Sequence, residues 1–153
     1  MMPPVAHRRV ITGLDAAGRS TVLVDGPLVA VGDTLALAWK AGALPADNSG
    51  TGDAVADGAF SLDAMQQGGA HFLVYDHPPR SEGFWHATDT LDFIYVIEGS
   101  VVLELETGPV SLNAGDLVAD RGVLHRWRND GDAPCRTVIV NLPALPLGKG
   151  RTI

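Results

Sequence analysis

The chain has 153 residues, which is enough for one domain with its own hydrophobic core. Its hydrophobic fraction of 46%, charged fraction of 19% and net charge of -7 are typical of a globular protein and argue against nucleic acid and membrane surfaces as partners. No apolar run reaches the roughly 20 residues of a membrane span, no apolar signal segment follows the first residues, and the single Cys135 fits a reducing compartment, so we expect a cytoplasmic protein.

The N-terminal part, residues 1–68, reads as short strands followed by a loop. Apolar and β-branched runs with turn residues between them predict strands at 9–12, 21–24 and 34–39, the first two forming a hairpin. Residues 41–60 are rich in Gly, Pro, Asn and Asp and poor in large apolar side chains, so we predict a long loop with the character of a flap. One helical turn is predicted at 61–65.

From Gly69 onward, turn signals recur about every 8 to 12 residues and no 3.6-residue apolar period is present. The predicted strands cover 70–76, 93–97, 101–106, 110–112, 117–119, 125–128 and 136–141. This spacing predicts an all-β sandwich or barrel with helix only in short pieces, and the 18 glycines and 10 prolines supply its turns. The tail at 143–153 is expected to be an arm that packs on a neighbouring molecule.

Two segments, residues 86–99 and 115–129, place residue types that bind metals at the edge of strand-like runs that stop at glycine. If the chain were straight, His86 and Asp92 would lie roughly 20 Å apart at about 3.3 Å per residue, whereas ligands of one metal lie about 2.0–2.2 Å from it. A shared site therefore requires a chain reversal between them, which the polar pair Asp89-Thr90 can supply, with His125 arriving from a third strand. His86, Asp92 and His125 could then hold Fe(II), Mn(II), Ni(II) or Zn(II) and leave positions open for a substrate.

The first of these segments resembles the first motif of the cupin superfamily, G-x5-H-x-H-x(3,4)-E-x6-G. His86 matches the first histidine, Thr88 stands where the second would be, and Asp92 replaces the glutamate, with six residues between it and Gly99. Threonine is a poor ligand for divalent metals, and aspartate is one methylene shorter than glutamate. The resemblance therefore implies a ligand set in which only part of the family pattern is kept.

The second segment resembles the second cupin motif, G-x5-P-x-G-x2-H-x3-N. Gly115, Gly122, His125 and Asn129 match it, although one residue is missing before the second glycine and Asp120 stands where proline is usual. The resemblance covers about residues 69–142. It implies a double-stranded β-helix, or jelly-roll barrel, as a single domain of residues 1–153, with N-terminal strands and a loop at 1–68 and the tail at 143–153.

Two kinds of site remain open on these residues. In the first, a divalent metal is bound by His86, Asp92 and His125. In the second, the barrel is metal-free, and His86 and His125 are held by hydrogen bonds to partners such as Thr88 and Asp92 and act as acid and base. In both, His86 and His125 are expected to face one another across a pocket.

Substrate contacts are predicted from the residues that flank the two motifs. The aromatic residues are expected to fill the barrel or to form a wall for a planar or lipophilic ligand, and they are Phe84, Trp85, Tyr95 and Trp127. Thr88 is expected beside them, and Arg80 and Arg121 are either solvated or anchor a substrate carboxylate. His71, His77 and Glu82 are expected at the surface or in turns, near enough in sequence to supply a missing ligand.

The sequence thus predicts a cupin-type enzyme that acts on a small carbonyl or carboxylate compound. Isomerisation, hydration or dehydration, lysis and ring opening are compatible with it, through metal Lewis-acid chemistry or histidine acid/base chemistry. An oxygenase-like enzyme is a less favoured alternative because the ligand set is depleted. The alternative is a metal-free barrel that binds a small ligand without catalysis. A homodimer is expected because small barrels cover their exposed edges by pairing, with the N-terminal strands as the contact.

Overall fold

The computed structural model describes residues 1–147 of the chain. After a turn of 3-10 helix at Pro4–Ala6, the strands are β1 (Arg8–Leu14), β2 (Ser20–Pro27), β3 (Val29–Val31), β4 (Leu35–Ala41), β5 (Ala70–His77), β6 (Ser81–Glu82), β7 (Thr90–Glu98), β8 (Ser100–Leu105), β9 (Gly108–Asn113), β10 (Leu117–Asp120), β11 (His125–Asn129) and β12 (Cys135–Pro143). A short helix, α1 (Leu62–Gln66), precedes β5. The all-β prediction, with helix only in short pieces, is confirmed.

Two sheets form the barrel. The larger has the order β10-β7-β12-β5-β4-β3 and the smaller has the order β6-β11-β8-β9, so neighbours in space come from distant parts of the chain. This is the double-stranded β-helix that the motif resemblance implied. The predicted N-terminal hairpin is also confirmed, because β1 and β2 pair with each other as a separate two-stranded sheet.

Strand alternation builds the inner face of the larger sheet in rows. One row is apolar and consists of side chains at successive partner positions, namely Val118, Ile94, Ile139, Leu73 and Leu37. Because neighbours across antiparallel strands share a face, the row two residues further along is also directed inward. That second row is polar and consists of Asp120, Asp92, Asn141 and His71.

The loop between β4 and α1 contains no strand or helix, as predicted, but it packs as part of the domain. Val55 is completely buried and lies in one apolar cluster with Leu37 and Leu73. The Arg9 guanidinium donates two hydrogen bonds to the Asp53 carboxylate, at 2.8 and 2.5 Å, which fixes the loop to β1. The predicted flap is therefore anchored at its centre.

The end of the described chain continues the larger sheet. Pro143 closes β12 opposite Thr90, and the Ala144 backbone N–H donates to the Asp89 carbonyl oxygen. The arm predicted at 143–153 falls partly outside the described residues, which end at Leu147. Within that same range of the chain, no helix has both the length and the apolar character needed to cross a membrane.

Candidate functional site

A cavity of about 420 Å³ lies between the two sheets. The apolar part of its lining comes mainly from the larger sheet, α1 and the loop before it, with Leu35, Phe60, Leu62, Met65, Leu73, Ile94 and Ile139. Its polar and aromatic lining includes Tyr75, His77, His86, Asp92, His125, Trp127 and Asn141. An apolar cavity of this size with a few polar groups suits a small organic molecule.

The two motif histidines are neighbours in this cavity. His86 and His125 exchange backbone hydrogen bonds of 2.9 and 3.0 Å in an isolated bridge, and their ring centroids are 4.4 Å apart. The expectation that they face one another across the pocket is wrong, because the bridge places them side by side at the smaller sheet. Because the two rings are in contact, both can touch the same ligand.

His86 presents a free ring nitrogen. Its Nδ1 lies 2.9 Å from the Phe84 carbonyl oxygen, and a carbonyl can only accept, so Nδ1 carries the hydrogen. Its Nε2 has no hydrogen-bond partner within residues 1–147. Burial lowers the pKa of His86, and the charge of His125 acts in the same direction. The result is a neutral imidazole with an open lone pair at the cavity.

His125 has both ring nitrogens engaged. Nδ1 lies 2.8 Å from the Val123 carbonyl oxygen, and Nε2 lies 3.2 Å from Asp120 Oδ2. The side chains of His125 and Asp120 are only 3% and 5% exposed. A carbonyl oxygen and a carboxylate both accept hydrogen bonds. The two contacts of the His125 ring are therefore hydrogen bonds either if the ring is an imidazolium beside the Asp120 carboxylate, or if Asp120 carries the proton. Of the two predicted catalytic histidines, only His86 offers a free nitrogen.

Asp120 is the site residue that the sequence did not identify as functional. It ends β10 and is brought to His125 by a tight turn at Gly122, whose φ is +72°. A Cβ at Gly122 would lie 2.7 Å from the Thr88 carbonyl oxygen, so glycine is required for this close approach. A carboxylate at the place of the usual motif proline was the available signal.

The residues do not fit the predicted metal site. No group of three His, Cys, Asp or Glu side chains within residues 1–147 is arranged to hold a metal ion. Asp120 engages His125 Nε2, and Asp92 Oδ1 accepts a hydrogen bond of 2.7 Å from Asn141 Nδ2. Burial raises the pKa of Asp92. The ligand set His86, Asp92 and His125 is therefore not assembled, because Asp92 and His125 already have other partners.

The predicted substrate contacts separate into two groups. Trp127 lines the cavity. Trp85 is exposed and lies beneath the Arg126 guanidinium at 5.3 Å, and Tyr95 is on the outer face of β7 because its side chain alternates with that of Ile94. Arg121 is exposed and Thr88 is buried with its hydroxyl 2.8 Å from that of Thr90, so neither belongs to the lining. The Arg80 side chain is exposed and forms an ion pair with Asp132.

Two histidines expected at the surface are in fact buried. His71 and His77 are 6% and 5% exposed, and His77 lines the cavity together with Tyr75. Both histidines lie on β5 at even spacing with Leu73, so period-two alternation along this strand was the signal that would have placed them inward. Glu82 is exposed at the rim, as predicted.

An aromatic wall is present, but with a composition different from the predicted one. Successive ring centroids lie 4.4 to 6.0 Å apart along one continuous row. The row runs in the order Tyr75, His77, Trp127, His125, His86 and Phe84. Such a surface favours a planar or hydrocarbon ligand.

His77 makes stability depend on pH. Burial lowers its pKa from 6.5 to about 4, against the weaker opposing effect of the Asp76 carboxylate. Between pH 6.5 and about 4, the unfolded state therefore binds more protons than the folded state. The free energy of unfolding is not reduced by His77 above about pH 6.5, and it falls by about 3 kcal/mol as the pH drops toward 4. Urea unfolding across this range should show a shallower pH dependence for His77→Phe, which keeps the ring packing. The pKa values of His71 and His86 are also lowered, so these residues contribute to the pH dependence in the same direction. Parallel curves for the two proteins would contradict this assignment.

Comparison with known proteins gives one family. Residues 73–141 match the family model described as Cupin domain. Phomopsin biosynthesis cluster protein D of Diaporthe leptostromiformis is 31% identical over 150 residues, which cover 91% of this chain and 79% of that protein.

Two further matches cover about half of the chain. Oryzines biosynthesis cluster protein J of Aspergillus oryzae is 40% identical over 85 residues, 54% of this chain, and the match spans only 48% of that protein's length. A solved cupin-2 domain containing protein from Shewanella frigidimarina is 23% identical, with a TM-score of 0.42, over 48% of this chain and 70% of that one.

Proposed function

The chain belongs to the cupin family, and from this premise we propose that it is a small-molecule enzyme in which His86 transfers protons on a carbonyl compound. One observation carries the proposal: His86 Nδ1 is committed to the Phe84 carbonyl, while the ring of this neutral histidine lines the cavity with Nε2 unengaged. This is the arrangement that a general base requires, since geometry and protonation state agree.

The proposed step is removal of a proton from the carbon beside the carbonyl group. The C–H bond breaks and the proton goes to His86 Nε2. The electron pair of the broken C–H bond forms a C=C bond to the carbonyl carbon, and the carbonyl oxygen takes the negative charge. Return of the proton at a different carbon gives isomerisation, and expulsion of a leaving group on the adjacent carbon gives dehydration or lysis. None of these outcomes needs an oxidant.

The neighbouring pair of His125 and Asp120 supports this chemistry by its position beside His86. The His125 ring lies 4.4 Å from that of His86, and its effect on the pKa of His86 adds to that of burial, which is the main cause of the lowered pKa. The hydrogen bond from Gly122 N–H to Asp120 Oδ1, at 3.2 Å, fixes the carboxylate. His125 is thus a positioning residue beside His86 and does not need a free nitrogen.

The names of the relatives agree with small-molecule chemistry. Two are called biosynthesis cluster proteins, of phomopsins and of oryzines. We infer from them only that a role in making a small organic compound suits this chain.

Hydrogen–deuterium exchange tests the proposal without knowledge of the physiological substrate. Protein purified without chelator, and the same protein after dialysis against one, are incubated with a hydroxytetralone in D₂O, and NMR follows the hydrogens beside the carbonyl group. We expect exchange above the uncatalysed rate in both samples. Exchange lost on chelation and restored by one divalent metal would support metal chemistry instead. No exchange above background would refute the proton-transfer proposal.

The second candidate function is a metal-free barrel that binds a ligand without catalysis. The observation that favours it is the closed pair of His125 and Asp120, which leaves a cavity with a largely apolar wall. This candidate requires that the hydroxytetralone bind without any exchange, so the same experiment separates the two functions.

We also propose that two copies of the chain form a homodimer. Val10, Leu14 and Val22 share one exposed face of the β1–β2 hairpin, which pairs with neither large sheet. Such an isolated hairpin is marginally stable by itself. The outer face of the larger sheet exposes a second apolar surface with Phe93, Tyr95 and Leu117, and the hairpin of a second copy would cover it.

Sedimentation analysis tests this pairing. The native protein should sediment as a dimer at micromolar concentration, and Leu117→Lys should shift it toward monomer because a charge would be buried at the contact. Ser111→Lys, on the exposed part of β9 in the smaller sheet, is the control and should stay dimeric. A monomeric native protein would contradict the proposal.

A further inference from the structure

Two buried polar atoms of the cavity lining have no hydrogen-bond partner in the described part of the chain. They are His77 Nε2 and Asn141 Oδ1, in residues that are 5% and 2% exposed. Buried polar groups are nearly always hydrogen-bonded, so a group inside the cavity is expected to satisfy them. Both side chains line the same cavity as His86.

The orientation of Asn141 defines what it needs from a ligand. Its Nδ2 donates to Asp92 Oδ1 at 2.7 Å and to no other side chain, so the amide oxygen is the atom left open. An amide oxygen can only accept a hydrogen bond. The matching ligand group is therefore a hydroxyl or an N–H.

The charges around the cavity exclude an anionic group at this position. Among residues 1–147, no lysine or arginine lines the cavity, whereas Asp92 and Glu82 do. Three arginines of the barrel strands are engaged in ion pairs: Arg126 with Glu82 and Glu104, Arg128 with Glu104 and Asp130, and Arg136 with Asp76. A carboxylate or phosphate would lose its hydration and meet a like charge, which disfavours its binding.

The two open atoms also indicate how far a ligand extends. Asn141 pairs across the sheet with His71, which lies six residues before His77 on β5. That separation is roughly 20 Å of strand at about 3.3 Å per residue. The wall between them is apolar and aromatic, with Ile139, Leu73 and the ring of Trp127. A compact ligand can reach only one of the two polar atoms.

We propose that the cavity selects an uncharged, largely apolar ring compound that donates a hydrogen bond from a hydroxyl or N–H to Asn141 Oδ1, and that it rejects carboxylates and phosphates. This rests on the proposed function only for the choice of a carbonyl compound as the substrate. It replaces the carboxylate half of the substrate class expected from the sequence. A longer ligand places a second polar group at His77.

Three matched ligands test the proposal by binding alone. Isothermal calorimetry compares a hydroxytetralone with its methoxy and carboxylate counterparts, which share the ring system. We expect the hydroxyl compound to bind about tenfold more tightly than the methoxy compound, since a donor is lost. The carboxylate should bind at least about thirtyfold more weakly than the hydroxyl compound. Equal or tighter binding of the carboxylate, or no binding of the hydroxyl compound, would overturn the proposal.

A variant locates the preference at Asn141. Asn141→Leu has nearly the same shape and no acceptor, so it should reduce the preference for hydroxyl over methoxy to about twofold or less. Asn113→Leu, an exposed position at the end of β9, is the matched control and should keep the full preference. A preference retained in Asn141→Leu would place the hydroxyl elsewhere and refute the assignment.

The outcomes for ligand class and for catalysis are separable. If the binding preference holds and deuterium exchange is absent, the ligand class stands and the proton-transfer function fails. If exchange occurs and the carboxylate compound binds equally well, the function stands and the ligand class fails.

Discussion

Replacing His86 with glutamine is expected to lower the rate of deuterium exchange on a bound hydroxytetralone by about 100- to 10,000-fold, the usual contribution of a general base. Glutamine can still donate a hydrogen bond to the Phe84 carbonyl, but it has no basic lone pair to take a proton. The dissociation constant of the ligand should change by about twofold at most. NMR exchange rates and calorimetry on the same samples measure both quantities.

The control for this substitution is His7→Gln. His7 contacts Arg136 at 2.9 Å and is not part of the cavity lining, so its loss should leave the exchange rate within about twofold of the native value. A His86→Gln protein that folds, binds the ligand and exchanges at the native rate would show that another group is the base. The pH profile gives a second reading, because the rate should rise as His86 loses its proton, at a pH below that of an exposed histidine.

Replacing Arg136 with methionine is expected to lower the free energy of unfolding by about 3–5 kcal/mol, because the Asp76 carboxylate would remain buried without a counter-ion. Arg136 is 2% exposed and donates two hydrogen bonds of 2.7 Å to Asp76. It also donates to the Met2 carbonyl oxygen, so it fixes the N-terminal segment to the sheet. Urea denaturation at constant pH measures the change.

Two controls make this result specific to the buried charge. Adding Asp76→Leu to Arg136→Met should recover much of the lost stability, because the unpaired carboxylate is then absent. Arg8→Met removes the exposed ion pair with Asp25 and should leave the free energy of unfolding nearly unchanged. Equal losses for the Arg8 and Arg136 variants would mean that burial of the pair has no energetic consequence.

The strands were predictable because their signals are local. Alternation along β8 and the apolar run of β7 are visible within a few residues, and the structure has these strands within about three residues of the predicted bounds. The turns at the motif glycines were equally predictable from the sequence. Gly99, with a φ of +80°, turns the chain between β7 and β8 where a Cβ would lie 2.7 Å from the Pro134 carbonyl oxygen.

The side of the sheet on which a residue lies was predictable only where alternation could be traced along the whole strand. Tyr95 was expected in the pocket on account of its residue type, yet it is two residues from Phe93 and on the same outer face, opposite to Ile94. His77 was expected at the surface, yet the even spacing from Leu73 places it inside. In both cases the period of the strand was a better guide than the chemistry of the side chain.

The sequence by itself determined the family and the barrel and indicated His86 and His125 as candidate site residues, since these depend on strand periodicity and on motif residues with fixed local spacing. Only the tertiary structure decided which partners those histidines have. Asp120 reaches His125 through a glycine turn, and Asn141 reaches Asp92 from a strand 49 residues away in sequence. Such pairings arise when distant strands become neighbours in a sheet. They replace the predicted metal site with a cavity in which His86 Nε2, His77 Nε2 and Asn141 Oδ1 have no hydrogen-bond partner within residues 1–147.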